Sequence, residues 1–145
     1  MRHGRVVTAC WLLGLAVVTG VRVQLWTDEK ALWAAAVAHS PEKPRPWINL
    51  GQQYARQGAH GMAVGAFAWG SELSLRPGRT ADERTRGWAI AETNLAILAA
   101  NRGDRQDALT RLSFVLARTP YFKTPKRIQT WIVESASSSS PPPSF

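Results

Sequence analysis

The sequence predicts an all-α protein: a short stack of antiparallel helix pairs between two ends of different character. Three observations carry that prediction. Apolar residues recur at helical rather than strand intervals through the middle of the chain. The segments that hold them open at Thr, Asp or Pro and close at Gly or Pro, residues that start and stop helices. A ten-residue pattern also occurs twice, "NLGQQYARQG" at 49–58 and "NLAILAANRG" at 94–103, with the same spacing from Leu to Gly.

The N-terminal run "VVTACWLLGLAVVTGV", Val6 to Val21, carries no charge and is flanked by Arg2, His3, Arg5 and Arg22. If Arg22 snorkels, the apolar stretch continues to Trp26 and reaches roughly 30 Å as a helix, enough for a bilayer core. Residues 1–26 are therefore expected to form a single-pass membrane anchor. Positive residues precede it, which keeps the N-terminus cytoplasmic and places the rest on the exported, periplasmic side. A signal peptide cleaved near Gly20 is the alternative, although "VTGV" matches the usual small-residue cleavage pattern poorly. Cys10 is the single cysteine and lies inside the run, so cysteine usage says nothing about compartment.

The helical domain is expected over 27–134. "TDEKALWAAAVAHSP" gives a first helix with Thr27 as N-cap, Asp28 and Glu29 in its first turn, and Pro41 beyond its end. In "RPWINLGQQYARQG", Trp47, Leu50 and Tyr54 share one stripe, and Gly51 leaves a notch on it where another helix can come close. Gly58 then suits a left-handed helix end. A second helix of this pair runs from near Ala63 towards Pro77. Thr80 and Glu83 form a capping box for the next helix. Asp104 caps the helix that carries Ala108, Leu112 and Val115 and stops at Pro120. In "TPKRIQTWIVE", Thr124 serves as cap with Pro125 at the first helical position, and Ile128, Trp131 and Ile132 make a narrow face that covers the last pair. The terminal "SASSSSPPPSF", 135–145, has too little apolar content to bury and is expected to be disordered.

Trp47, Leu50, Gly51, Tyr54, Gly58, Ala63, Phe67 and Pro77 together resemble the tetratricopeptide (TPR) repeat, with two extra residues between Ala63 and Pro77. Asn94, Leu95, Ala96, Gly103, Ala108, Leu112, Val115 and Pro120 resemble a second unit that lacks the Trp. The resemblance implies a helical solenoid of about 2.5 repeats in which the first helix of each pair lines a concave groove. The run from Trp26 to Gly51 further resembles the join in transmembrane-and-TPR proteins similar to O-mannosyltransferases, where membrane spans give way to exported repeats. Trp26, Asp28, Glu29, Leu32, Trp33, Val37, Pro41 and Arg45 carry it into the NLG of residues 49–51. Only one candidate span is present here, so the resemblance implies a topology and no catalytic residue.

No chemistry-bearing constellation emerges. His3, His39 and His60 lie in separate segments without ligand partners at metal spacing. The carboxylates at 28–29, 82–83, 104 and 107 sit where helix starts want acids, and the "RGD" at 102–104 falls in a turn. Catalytic, metal and cofactor sites are accordingly expected to be absent. A net charge of +8 favours anionic headgroups or an acidic partner. Nucleic acid is not expected, because the aromatics beside the basic C-terminal residues are needed for packing. The expected function is that of a non-catalytic scaffold at the membrane whose partners are a membrane protein or complex, the lipid bilayer and a second copy of the chain. The enzyme-class alternative is an accessory or detached piece of a multi-span glycosyltransferase-like protein. The protein-binding groove is expected to present Arg45, Ile48, Gln52 and Arg56 from the first unit, and Ala89, Thr93 and Ile97 from the second. Trp69 is expected to face a partner, its helix having lost register.

Overall fold

The computed structural model describes Trp11 and residues 28–134. Within them lie six α-helices and no strand: α1 Glu29–His39, α2 Pro44–Arg56, α3 His60–Leu75, α4 Ala81–Asn101, α5 Arg105–Arg118 and α6 Lys123–Glu134. The all-α class is thus observed. Apart from Trp11, the anchor expected over 1–26 lies outside the described residues, as does the tail over 135–145. Among the described residues, no helix is long and apolar enough to cross a membrane.

Each helix packs on the one before it, and α2–α4 and α4–α6 also touch. Connections of only a few residues force neighbours antiparallel. The repeated decapeptide builds the same turn twice. At the end of α2, Gly58 has φ 74°, its N–H donates to the Ala55 carbonyl, and Ala59 N–H donates to that of Tyr54. At the end of α4, Gly103 has φ 85°, its N–H donates to Ala100, and Asp104 N–H donates to Ala99. Both are the two-bond close of a helix on a left-handed residue, a conformation glycine takes without steric cost. Both then lead into a helix whose alanine, Ala63 or Ala108, is wholly buried.

The notch at Gly51 is filled by Phe67 of α3. A Cβ at residue 51 would stand 2.7 Å from one ring carbon, so the absence of a side chain sets how closely α2 and α3 approach. Gly70 plays the reciprocal part, taking Ile48 of α2 against its bare Cα. Around this contact Ile48, Ala55, Phe67, Ala91, Leu95 and Leu98 form one core cluster. A second joins Ala96, Ala99, Ala108, Leu112, Ile128 and Ile132 across α4, α5 and α6. Helix α4 belongs to both and is buried without a break from Thr93 to Ala99. Its small residues allow helices to close on it from several sides.

Side-chain caps explain where three of the six described helices begin. Thr80 Oγ1 accepts from Glu83 N–H while the Glu83 carboxylate accepts from Thr80 N–H and its hydroxyl. Those bonds, with Arg79 nearby, hold the Glu83 carboxyl below its ordinary value. Asp104 accepts from Asp107 N–H at 3.1 Å, as expected for a cap. Two boundaries differ from expectation. The cap of α1 is Asp28, whose carboxylate accepts from Lys30 and Ala31 N–H; Thr27 lies outside the described residues. Helix α6 starts at Lys123, which places Thr124, expected as the cap, inside the first turn and moves Pro125 from the first helical position to the third.

A polar chain crosses the interfaces of α3, α4 and α5. Ser71 donates to Glu92 at 2.7 Å, Arg111 donates to the other Glu92 oxygen at 2.9 Å, and Arg111 Nε also reaches Asp107 at 3.0 Å. Partial burial pulls the Arg111 pKa down, but the bonds to Asp107 and Glu92 outweigh it and leave it above the usual arginine value. Helix α1 is held differently. None of its residues is fully buried, and Glu29 links it to Gln53 and Arg56 of α2. Its Trp33 is only half-buried.

Candidate functional site

A groove of about 820 Å³ is walled by α2, α4 and α6. These are alternate helices of the stack, so α3 and α5 lie behind them and leave this side open. The largest share comes from α4, where Arg86, Ala89, Ile90, Thr93, Asn94 and Ile97 fall at i, i+3, i+4, i+7, i+8 and i+11 along a single stripe. Gln52 enters from α2. The far wall is Phe122 and the start of α6, then Arg127, Ile128 and Trp131.

Of the expected groove residues, the structure brings together Gln52, Ala89, Thr93 and Ile97. Thr93 contributes little polarity, because its hydroxyl donates to the Ala89 carbonyl of its own helix at 2.6 Å. Four other expected residues lie outside this lining. Ile48 is 5% exposed and belongs to the core, since the bare Gly70 lets it sink into α3. Arg45 is exposed in the first turn of α2 but lies outside the groove lining. Arg56, in the last turn of α2, reaches back to Glu29 at 3.1 Å, towards α1. Trp69 sits on α3, behind the groove. It stacks edge-on with Trp47 at 6.4 Å and lies under the Arg76 guanidinium at 5.2 Å, so about a third of it stays exposed. Trp47 in turn donates its indole N–H to the Pro41 carbonyl and remains half-buried.

Sequence reasoning missed Arg86, Ile90, Asn94, Phe122, Arg127 and Trp131. The signal for the α4 members was present, because they extend the Ala89–Thr93–Ile97 stripe by helical steps in both directions. Trp131 was assigned wholly to the covering face of α6. It does pack against the second core cluster, yet one side of it turns to the groove.

Two features set the chemistry of this groove. Its lining carries two guanidiniums, Arg86 and Arg127, both exposed, and no carboxylate. Asn94 Nδ2 and Trp131 Nε1, on facing walls, are closed off from solvent and have no hydrogen-bond partner. A buried donor left unpaired costs roughly 1–3 kcal/mol, and native proteins hold few of them. No other described side-chain nitrogen or oxygen is buried without a partner. The groove thus combines positive potential, an apolar floor and two unsatisfied N–H groups. Among the described residues, no group of His, Cys, Asp and Glu could hold a metal ion. No protein-family model, curated protein or solved structure matches this chain.

Proposed function

We propose that this chain is a non-catalytic scaffold that holds a protein partner in the α2–α4–α6 groove, tethered to a membrane through residues 1–26. The observation that carries the reading is the groove itself: an open trough whose only charged groups are two guanidiniums, with amides and threonine hydroxyls beside them and no carboxylate, histidine or cysteine in the lining. Such a lining binds and orients, but it has no residue pair that could move a proton or attack a bond. The resemblance of the two helix pairs to TPR units supports the same role, as does a net charge of +8, which suits an acidic partner beside anionic lipid. A second reading rests on the resemblance of the Trp26–Gly51 run to the join in transmembrane-and-TPR proteins. There the chain would be an accessory piece of a multi-span glycosyltransferase-like assembly and would supply no catalytic residue itself.

The test is a pull-down of the C-terminally tagged full chain from detergent-solubilised native membranes, with the intact mass of the bait measured. A partner at near-stoichiometric yield should survive Arg84→Glu, on the other side of the molecule, and disappear with the pair Arg86→Glu and Arg127→Glu. A partner indifferent to that pair would refute the groove as its seat. A bait shortened by about twenty residues and found in the soluble fraction would refute the anchor. If the partner is a multi-span transferase, the second reading takes the place of the first.

A further inference from the structure

Resting on that reading, we infer that the groove takes an extended, acidic, internal segment of a partner protein. Its acceptor oxygens would satisfy Asn94 Nδ2 and Trp131 Nε1, and its carboxylates would meet Arg86 and Arg127. Four observations lead to this occupant. The two nitrogens are the unpaired buried donors of the described chain, and both belong to residues of the same groove. Asn94 is more than nine-tenths buried, so it gains no compensating bond from water. Both donors call for acceptors. A bound helix would have its carbonyls engaged internally, whereas an extended strand leaves them free. The third observation is charge: two guanidiniums and no carboxylate in the lining select an acidic segment. The fourth is apolar surface, where the exposed Ile90 and the half-buried Phe122 offer a patch that an aliphatic side chain covers and an anionic glycan does not.

Two other occupants fit less well. The tail 135–145 carries no acidic side chain to complement the arginines. A second copy of a chain with net charge +8 would bring positive potential into a positive groove. Because both nitrogens are closed off from solvent, an incoming oxygen reaches them only after the Trp131 side chain turns. Binding therefore changes the environment of that indole.

The experiment uses the full chain in detergent micelles and a fluorescein-labelled nonapeptide of alternating glutamate and valine, acetylated and amidated so that it carries no terminal charge. Its composition favours an extended conformation. Two controls accompany it, the same peptide with lysine for glutamate and a glutamate–alanine–leucine peptide of helical pattern. The glutamate–valine peptide should bind at least about tenfold more tightly than either control, its anisotropy signal weakening with salt. It should also shift the tryptophan emission in a way that Trp131→Phe abolishes. Asn94→Leu and Trp131→Phe, each removing one donor, should weaken binding by roughly 3- to 10-fold. The exposed pair Arg86→Glu and Arg127→Glu should abolish it. Equal binding of the lysine or helical peptide, or unchanged affinity in both donor variants with folding intact by circular dichroism, would overturn the inference. So would an affinity gain on deleting 135–145, because it would make the tail the resident occupant. If the pull-down partner depends on the groove arginines while these peptide tests fail, the scaffold reading stands and only the acidic-strand inference falls. If no partner depends on the groove, both fall.

Discussion

Replacing Gly51 with Ala tests whether the α2–α3 contact is set by the missing side chain. The added Cβ would lie 2.7, 2.8 and 3.2 Å from three ring carbons of Phe67. Carbon atoms rest at roughly 3.5–4.0 Å, so the ring must retreat by roughly 0.8 Å. It has nowhere to go, being wholly buried in the cluster that includes Ala91, Leu95 and Leu98. Overpacking of this kind costs roughly 1–3 kcal/mol. Alanine's better helix propensity returns roughly 1 kcal/mol, leaving a net loss of about 0–2. Gly65→Ala makes the same backbone change in α3 with open space around its Cβ. That variant should gain roughly 0.5–1 kcal/mol. Urea unfolding of the two variants, followed by helical circular dichroism, should therefore separate them by about 2 kcal/mol, roughly 10 °C in Tm for a domain of this size. Adding Phe67→Leu should relieve much of the Gly51→Ala loss, giving a coupling of at least about 1 kcal/mol in a double-mutant cycle. If Gly51→Ala stabilises as much as Gly65→Ala does, close approach at the notch is not what seats α2 on α3.

Asn94→Leu should raise stability by roughly 1–2 kcal/mol, because it removes an unpaired buried donor and keeps the branched shape with apolar atoms. The Tm measured without peptide checks this, and a fall would show that Asn94 is paired within the fold. Thr80→Ala should cost about 1 kcal/mol by opening the capping box of α4. The loss has a pH signature. The Glu83 pKa is lowered in the folded state, so its contribution is present above the ordinary value of 4.5 and disappears as pH falls through the lowered one. The Tm gap between wild type and Thr80→Ala should accordingly narrow in acid. A gap that stays constant down to about pH 2, well below the ordinary value, would show that Glu83 plays no part in the cap.

Much of this architecture was legible because its signals are local. Gly58 and Gly103, forty-five residues apart, predict the same turn and build it with the same hydrogen bonds. The capping box at Thr80 and the cap at Asp104 depend only on residues three apart. What the sequence could not rank is which face of a helix stays open once its neighbours arrive. Ile48 and Gln52 lie on one stripe of α2, yet a glycine on a different helix, Gly70, draws the first into the core while the second reaches the groove. Trp131 shows the same limit. Its spacing marks it as apolar covering, and only the placement of α4 opposite reveals that its N–H has no partner. Arg86 and Arg127, forty-one residues apart, become one positive wall only when α6 folds back along α4.

The chain from Ser71 through Glu92 to Arg111 and Asp107 bears on how the molecule comes apart. A linear stack in which each helix touches mainly its neighbours can fray one pair at a time. Here a single carboxylate, on the central helix α4, accepts from the first pair with one oxygen and from the second with the other. Loosening α3 or α5 alone leaves Glu92 short of a donor in a partly buried site, so the three helices should open together as one cooperative block, the last to exchange its amide protons. Helices α1 and α6 stand outside that block. The groove thus has one wall that belongs to the most persistent part of the fold and another that can move, an arrangement in which a ligand, by holding α6 against α4, would extend the block by a helix.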